Sequence, residues 1–243
     1  MMTVKVLGIC ASPRHGNSLF FLNKAMDVTD EMSIPVEKKI YHLSAGKKIQ
    51  PCNSCYKCWE RSGRCVFEDD FEDLQQLWIA SDVVIYSVPV YHLSIPGQLK
   101  CFIDRLGHSF HGYYSIPSVR HLKVIGILAQ GASLYGGQEL TIEYLIMHSV
   151  LLNSIPVAGD GSESHIGAGA WTGGGLDAKA MEIMKQKEEK DLETALRGAQ
   201  SVVRRAVEVA AIVKTGAVGL SEILNKDARY RPYLDRVTQK SHN

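Results

Sequence analysis

Four of the six cysteines in this chain lie within one short segment, 51–66. Their spacing is C-x2-C-x2-C-x6-C, at Cys52, Cys55, Cys58 and Cys65. Thiolates two residues apart on a tight loop, with a fourth a few residues further on, can converge on a cluster of iron and sulfide, because soft sulfur ligands suit iron. The spacing therefore favours an iron-sulfur site.

Zinc and uncoordinated thiols are the alternatives for this segment. Structural zinc modules usually place two C-x2-C pairs well apart, whereas here three cysteines crowd into positions 52–58. Disulfide bonds are typical of small secreted proteins and suit this chain of 243 residues less well. A structural zinc ion and redox-sensing thiols remain the competing interpretations.

A loop rich in hydroxyl groups and glycine, 11–18, connects an apolar run to a segment with helical spacing. Backbone N–H groups at the start of a helix can surround an anion, and Arg14 supplies positive charge, so the loop has the form of a phosphate site. It matches neither G-x-G-x-x-G nor G-x4-G-K-[ST], which weakens dinucleotide and nucleoside-triphosphate interpretations. An ordinary strand-to-helix turn capped by a serine is the alternative.

Strand and helix patterns alternate along the chain and must position these two sites. Short β-branched runs predict strands at 4–10, 36–42, 83–87, 124–129 and 155–158, and helical spacing predicts helices at 19–26, 69–80, 95–106, 139–152 and 191–213. The alternation predicts an α/β fold, a doubly wound five-stranded parallel sheet with helices on both faces. Ligands of such sheets bind outside the carboxyl ends of the strands. Four loops are predicted at that edge: 12–18, 89–92, 131–138 and the cysteine loop after strand 2.

Charge and hydropathy exclude two classes of partner. Lysine and arginine number 27 against 26 aspartate and glutamate, and a formal net charge of +1 gives no global electrostatic case for nucleic acid. No apolar run approaches the roughly 18 residues of a membrane-spanning helix. Residues 1–12 enter a strand pattern without the flanks of an export signal, so we expect a cytoplasmic protein.

Five motifs in their order along the chain resemble the iron-sulfur flavoproteins, a group within the flavodoxin-like NAD(P)H-dependent FMN reductases. They are the cysteine run, Ser12-Pro13-Arg14 with Gly16-Asn17-Ser18, Asp69-Asp70, Ser87-Val88-Pro89-Val90-Tyr91, and Gln98-Leu99-Lys100 with Phe102-Ile103-Asp104-Arg105. The resemblance covers about residues 3–160. The compact cysteine run is its most specific element.

The resemblance implies FMN and a [4Fe-4S] cluster as cofactors. The FMN phosphate would be held by residues of the first loop: Ser12, Arg14, Asn17 and Ser18. The isoalloxazine would lie between the loop after strand 3 and a glycine loop: Pro89, Val90, Tyr91 and His92 on one side, and Gly131, Gly136 and Gly137 on the other. The four cysteines of 51–66 would ligate the cluster.

By the same resemblance, we expect a flavin-dependent oxidoreductase that passes electrons between the cluster and FMN. The expected partner is a one-electron donor such as ferredoxin, or a nicotinamide, with NAD(P)H as the reductant. Members of the group form homodimers or homotetramers whose contacts contribute to the flavin sites. The alternatives are an NAD(P)H-dependent FMN or quinone reductase without a cluster, and a flavin-binding module with structural zinc or redox-sensing thiols.

The chain departs from the pattern of the group in two regions. The segment 159–175 is a glycine-rich insertion. The end of the chain, 221–243, is locally basic and is interpreted as a solvated tail or as an arm that reaches a neighbouring subunit. We expect a flavodoxin-like FMN-binding domain at 1–215 and a C-terminal helical extension at 216–243.

Three further features of the sequence have structural interpretations. The aromatic stretch 110–114 is expected to be exposed at a subunit contact, and a substrate wall formed by His108, His111, Tyr113 and Tyr114 is the alternative. Asp104-Arg105 is expected to form an ion pair or a capping feature. Cys10 and Cys101, which fall in a predicted strand and a predicted helix, are interpreted as small buried hydrophobic residues.

Overall fold

The computed structural model describes residues 2–44 and 46–238. Parallel strands form one sheet in the order β2-β1-β3-β4-β5, with a sixth strand beside β4. The strands are β1 (Val4–Cys10), β2 (Val36–His42), β3 (Val83–Pro89), β4 (Val124–Gly131), β5 (Ile155–Pro156) and β6 (Ala168–Trp171). This order is that of flavodoxin-like sheets, so the predicted fold class is confirmed.

Helices cover both faces of the sheet, which buries β3 and β4 along their whole length. One face carries α1 (Asn17–Met26), α5 (Ala180–Gln186) and α6 (Lys190–Gly219). The other carries α2 (Phe71–Ala80), α3 (Gly97–Tyr114) and α4 (Gln138–Leu151). Two short helices, α7 (Ser221–Leu224) and α8 (Arg231–Thr238), follow. Within the described residues, no helix has the length and apolar character needed to cross a membrane.

The fifth strand position of the sheet is divided between two segments. β5 pairs with Val124 and Ile125 of β4, and β6 pairs further along β4 with residues 128–131. The strand predicted at 155–158 is therefore shorter than expected, and the glycine-rich insertion 159–175 returns to the sheet as β6. This return places the end of the insertion next to the carboxyl end of β4, where ligands bind.

Helix α3 is longer than predicted, because it continues through the aromatic stretch 110–114 to Tyr114. Phe110 is 7% exposed and packs against Trp78 and His121, with ring centroids 5.2 Å and 4.5 Å away. The expectation that this stretch is exposed is wrong for Phe110, because that face of α3 lies against α2 and the chain before β4.

The C-terminal segment packs against its own chain through a buried carboxylate. Asp82, which follows α2, accepts a hydrogen bond from Lys214 Nζ of α6 (2.7 Å) and forms an ion pair with Arg236 of α8. Tyr233 and Leu234 of α8 are buried beside the end of α6. The segment 221–238 is therefore folded against its own chain and is not a solvated tail, whereas its contact with a neighbouring subunit stays a prediction.

The expected boundary between the FMN-binding domain and its extension, 215/216, falls inside α6, which continues to Gly219. The described part of the C-terminal extension, 216–238, is helical, as expected. Residues 239–243, which include Lys240 of the basic tail, lie outside the described residues.

Candidate functional site

A cavity lies at the carboxyl edge of the sheet, beside the ends of β1, β3 and β4. Eight of the residues expected around FMN line it: Ser12, Arg14, Asn17, Ser18, Pro89, Val90, Tyr91 and Gly131. They come from three loops that are far apart along the chain. The sheet topology brings these loops together, because β1, β3 and β4 are neighbouring parallel strands, whose carboxyl ends lie at the same edge of the sheet.

One wall of the cavity is the loop between β1 and α1. Ser12 Oγ donates a hydrogen bond to the backbone oxygen of Arg14 (2.8 Å), which folds the loop back on itself. Helix α1 begins at Asn17 after an extended Gly16, and no side chain in the described structure caps its amino end. The N–H groups of its first turn and the positive end of its dipole are therefore available to an anion.

Two residues expected to hold a phosphate also bind the segment 176–181. Arg14 Nη2 donates to the backbone oxygen of Leu176 (3.2 Å). Asn17 Nδ2 donates to the backbone oxygen of Asp177 (2.9 Å), and its Oδ1 accepts from the N–H of Met181 (3.0 Å). Both polar groups of Asn17 are thus used inside the protein, so this residue positions a wall of the cavity.

Ala132, which also lines the cavity, belongs to the predicted loop 131–138. Four other lining residues lie outside the predicted loops: Gln130, Thr172, Gly175 and Leu176. Gln130 Nε2 donates to Ser18 Oγ (2.6 Å), and Ser87 Oγ donates to the Ser18 backbone oxygen (2.8 Å). These bonds hold the start of α1 to the ends of β3 and β4. The only signal for Gln130 was a polar residue directly after an apolar strand, and the other three residues depend on the pairing of β6.

The chain after β3 reverses in a tight turn at 91–94. Tyr91 and Ser94 exchange backbone hydrogen bonds of 2.8 Å and 3.0 Å. The two central residues, His92 and Leu93, have φ angles of 47° and 63°, which cost energy in residues other than glycine. Tyr91 lines the cavity and is 44% exposed, whereas His92 lies at the tip of the turn, outside the cavity lining.

Gly136 and Gly137, expected to cover the flavin, lie at the amino end of α4, beyond the lining of this cavity. Gly137 has a φ of 99°, and a Cβ there would lie 2.6 Å from Leu93 Cα. Gly136 N donates to Gln138 Oε1 (3.0 Å). Gly137 therefore supports the turn 91–94 through backbone contact.

The four cysteines of 51–66 line a second, smaller cavity together with Phe71, Arg105 and His108. All six cysteines carry free thiols. Burial, and then the neighbouring Cys65, raise the pKa of the Cys58 thiol, and Cys52 and Cys55 add to this effect. Each thiolate disfavours ionisation of the neighbouring thiols, and a bound cation offsets this repulsion. The four thiols therefore fit a thiolate-ligated metal group.

The structure shows the cysteines converging on one cavity, but it does not show them in ligating positions. Within 2–44 and 46–238, no group of three or more His, Cys, Asp or Glu side chains is close enough to hold a metal ion. The backbone of the segment nevertheless has an unusual conformation, because Ser54, Tyr56 and Ser62 all have positive φ angles, between 52° and 56°. Strained backbone of this kind accumulates at binding sites.

The cysteine segment is attached to the last turns of α3. Trp59 Nε1 donates to the backbone oxygen of His108 (3.1 Å), and the Trp59 ring lies 4.2 Å from the ring of His111. Gly63 N donates to the Cys58 backbone oxygen (2.9 Å) and closes the middle of the segment. The histidines of α3 therefore contact the cysteine segment within the same chain.

The Asp69-Asp70 pair closes the base of the cysteine segment. Asp69 Oδ2 accepts hydrogen bonds from Gln50 N (2.8 Å) and from Arg105 Nη1 (2.6 Å), and Asp70 Oδ2 accepts from Lys48 N (2.8 Å). These bonds join the chain before the cysteines to the chain after them. The expected pairing within Asp104-Arg105 is wrong, since neighbouring residues of a helix point in different directions. Asp104 pairs with Lys100.

The two cavities are separated along α3. The loop 89–92 leads into the start of this helix, whereas the cysteine cavity includes Arg105, eight residues after Gly97. A helix rises about 1.5 Å per residue, so this separation is about 12 Å along the axis. The cysteine loop follows strand 2 as predicted, and in the described structure the two cavities have no lining residue in common.

Comparison with known proteins identifies the family. The sequence model of the NADPH-dependent FMN reductases matches residues 4–163. An iron-sulfur flavoprotein of Methanocaldococcus jannaschii is 31% identical over 169 residues, which cover 70% of this chain and 82% of that protein. The chain belongs to the iron-sulfur flavoproteins of the NADPH-dependent FMN reductase family.

Other relatives agree with this placement in the FMN reductase family. An iron-sulfur flavoprotein of Archaeoglobus fulgidus is 28% identical over 204 residues, covering 84% of this chain and 96% of the relative. The crystal structure of RosB with bound 8-demethyl-8-formylriboflavin-5'-phosphate has a TM-score of 0.60 at 12% identity, covering 92% of this chain and 88% of RosB. At that identity the likeness shows the fold alone. As a member of the family, the protein is an FMN-dependent oxidoreductase.

Proposed function

We propose that this oxidoreductase passes electrons between FMN, bound at the carboxyl edge of the sheet, and a [4Fe-4S] cluster, bound by Cys52, Cys55, Cys58 and Cys65. The observation that carries the proposal is the convergence of these four thiols on one cavity in a chain with a flavin-reductase fold. When bound, such a cluster exchanges single electrons and a flavin exchanges one or two. The names of the two archaeal relatives support the cluster.

The FMN phosphate is proposed to bind at the start of α1, with Ser12, Arg14 and Ser18 around it and Asn17 holding the wall. The cavity there has a volume of about 150 Å³. Complete ligand sites usually measure about 300–1,000 Å³, so this cavity suits the phosphate end of FMN. The isoalloxazine is proposed to lie further out, along the loop 89–92 and towards the glycine loop 131–137. The flavin phosphate bound in the RosB crystal structure supports this use of the fold.

The FMN assignment is tested by acid release of the flavin and by a charge variant. Acid release should yield FMN. Arg14→Gln should weaken binding of FMN by roughly tenfold, since a hydrogen bond to a charged group contributes about 1.5 kcal/mol. Binding of riboflavin, which has no phosphate, should not change. Lys24→Gln is the matched control, because Lys24 is an exposed cation of α1 paired with Asp27. Release of FAD, or equal losses for both ligands in Arg14→Gln, would contradict the assignment.

The cluster assignment is tested by removing one thiol from the cysteine cavity. Cys58→Ser should remove most of the iron and sulfide measured in anaerobically purified protein and should leave FMN bound. Cys101→Ser is the control, because Cys101 is a partly buried cysteine of α3 outside the cavity. Flavin reduction by reduced ferredoxin should collapse in Cys58→Ser, whereas reduction by dithionite should survive. Two results would contradict the cluster: absence of iron from the parent protein, or equal rates of flavin reduction by ferredoxin in Cys58→Ser and the parent. Either result would favour an NAD(P)H-dependent FMN or quinone reductase without a cluster, as the name of the family suggests.

The proposed electron donor is a one-electron carrier such as ferredoxin, or a nicotinamide. Because the two cavities of one chain are separated along α3, the proposal includes a homodimer or homotetramer in which the cysteine site of one subunit approaches the flavin of another. The FMN-binding unit is proposed to span 1–215, with 216–243 as its extension. A 26.9 kDa monomer in light scattering at micromolar concentration, with flavin fully bound, would contradict the oligomer.

A further inference from the structure

The guanidinium of Arg105 lines the cysteine cavity with only part of its hydrogen-bonding capacity used. The residue is 2% exposed. Its Nη1 donates to Asp69 Oδ2 (2.6 Å) and to the Gln50 backbone oxygen (3.3 Å). Nε and Nη2 are buried without a hydrogen-bond partner in the described structure. A buried donor without a partner destabilises the protein, and a charged one does so more strongly, so these two donors call for an acceptor.

The protein groups around Arg105 do not supply this acceptor. Asp69 uses Oδ1 for the N–H of Phe71 (3.2 Å) and Oδ2 for Gln50 N and Arg105 Nη1. The Phe71 and Phe67 ring centroids lie 4.2 Å and 5.5 Å from the guanidinium carbon, and such contacts stabilise the cation. An aromatic ring has no lone pair for Nε or Nη2. Other polar side chains line the cavity as well, but none of them bonds to Nε or Nη2 in the described structure, and the cysteine sulfurs are the lining groups that become anionic when they ligate a metal.

We propose that Arg105 donates hydrogen bonds from Nε and Nη2 to the sulfur atoms of the group that the four cysteines hold. This inference rests on the proposed cluster. Asp69 acts as a positioning residue, because it fixes Nη1 and leaves the other two nitrogens for the cavity. Hydrogen bonds to sulfur and nearby charge tune the potential of iron-sulfur groups. A buried guanidinium favours the form with the greater negative charge, so Arg105 raises the midpoint potential.

The test compares a variant that removes only the carboxylate of the buried ion pair with a variant that removes both of its charges. Arg105→Met alone leaves Asp69 buried without its cation, a strongly destabilising change that can prevent folding. The informative pair is Asp69→Asn, whose amide oxygen can still accept the hydrogen bond from Arg105 Nη1, and the double variant Asp69→Asn/Arg105→Met, which lacks the guanidinium. Arg64→Met is the control, since it removes an exposed cation next to Cys65 that is screened by solvent. Arg105→Lys keeps the charge but loses the planar set of donors.

Each variant is reconstituted with iron and sulfide and titrated with dithionite, and the midpoint potential of the cluster is read from its visible and electron paramagnetic resonance spectra. We expect a lower midpoint potential in the double variant than in Asp69→Asn. The potential of Arg105→Lys should lie between those of the parent and the double variant, and that of Arg64→Met should equal the parent value. Equal midpoint potentials in Asp69→Asn and the double variant, with the cluster present in both, would overturn the proposed role of Arg105 and leave the proposed function standing. Absence of iron from the reconstituted parent would overturn the proposed function, and this inference with it.

Discussion

Gly112 of α3 lies against the backbone of Cys58, so closely that a Cβ at position 112 would overlap the Cys58 carbonyl oxygen. The same Cβ would lie 2.7 Å from Trp59 Cα. Both neighbours are backbone atoms, which cannot rotate away as a side-chain end can. A glycine within the long helix α3 is thus what allows the cysteine segment to approach it.

Gly112→Ala should displace the cysteine segment from α3. We expect a loss of about 1–3 kcal/mol in the free energy of unfolding, as for other overpacked sites, although alanine is the better helix former. Iron retention should fall in parallel. Gly107→Ala, in the same helix, is the control, because nothing lies within 4 Å of a Cβ there. That variant should be as stable as the parent or up to about 1 kcal/mol more stable. Chemical denaturation and iron analysis of both variants distinguish steric displacement from a general effect on α3.

Asp82 should make stability depend on acid pH. Burial alone would raise the pKa of Asp82, but Arg236 and Lys214 outweigh it and hold the pKa below its ordinary value. A depressed folded-state pKa means that the contribution to stability is complete above the unfolded pKa, near 4, and is lost as the pH falls through the folded value. Asp82→Asn should lose about 3–5 kcal/mol at neutral pH and should show a shallower decline in acid. Denaturation curves between neutral and acid pH measure both effects.

A matched substitution tests whether the buried position of Asp82 causes this effect. Asp27→Asn removes an exposed carboxylate that is paired with Lys24. Exposed pairs contribute about 0–1 kcal/mol, so this variant should stay close to the parent. If Asp82→Asn and Asp27→Asn have the same free energy of unfolding and the same pH dependence, the packing of the C-terminal helix α8 does not depend on the carboxylate that it covers.

Gly137→Ala should weaken FMN binding by displacing the turn 91–94. A Cβ at 137 would meet the Leu93 backbone at 2.6 Å, and the φ of 99° is unfavourable for alanine. The turn carries Tyr91, which lines the proposed flavin cavity. Gly97→Ala is the control, since position 97 has open space around it. Fluorescence titration with FMN should show weaker binding in Gly137→Ala and parent affinity in Gly97→Ala. Equal affinities of the two variants for FMN would show that the turn 91–94 does not contribute to FMN binding.

Asn17→Ala should release the segment 176–181 from α1. The variant loses two side-chain hydrogen bonds, to Asp177 O and from Met181 N, at a cost of about 1–3 kcal/mol. Because that segment continues the wall that contains Thr172 and Gly175, FMN should dissociate faster. Limited proteolysis should cut 172–178 sooner in the variant, and FMN should slow that cleavage in the parent. An unchanged cleavage rate would show that Asn17 does not hold the wall.

Several site residues were identified from the sequence because their signals are local. The four cysteines are grouped by spacing alone, and the order of strand, hydroxyl-rich loop and helix marked Ser12 to Ser18. The strands β1, β3 and β4 could be predicted because buried parallel strands consist of continuous apolar runs. The helix bounds were less accurate at α3, since the residues from His108 to Tyr114 have no strong helical pattern and are held in the helix by contacts with other elements.

The sequence by itself determined the fold class, the grouping of four cysteines in one segment and the loops that meet at the carboxyl edge, because these depend on composition and spacing over a few residues. Only the tertiary structure decided the partners of the charged residues. Arg105 pairs with Asp69, 36 residues away, and Lys214 with Asp82, 132 residues away. It also decided that β6 returns beside β4 and that Asn17 supports a wall 160 residues further along the chain. Such contacts depend on the packing of whole helices and strands, and a buried charge takes whichever partner that packing brings within reach.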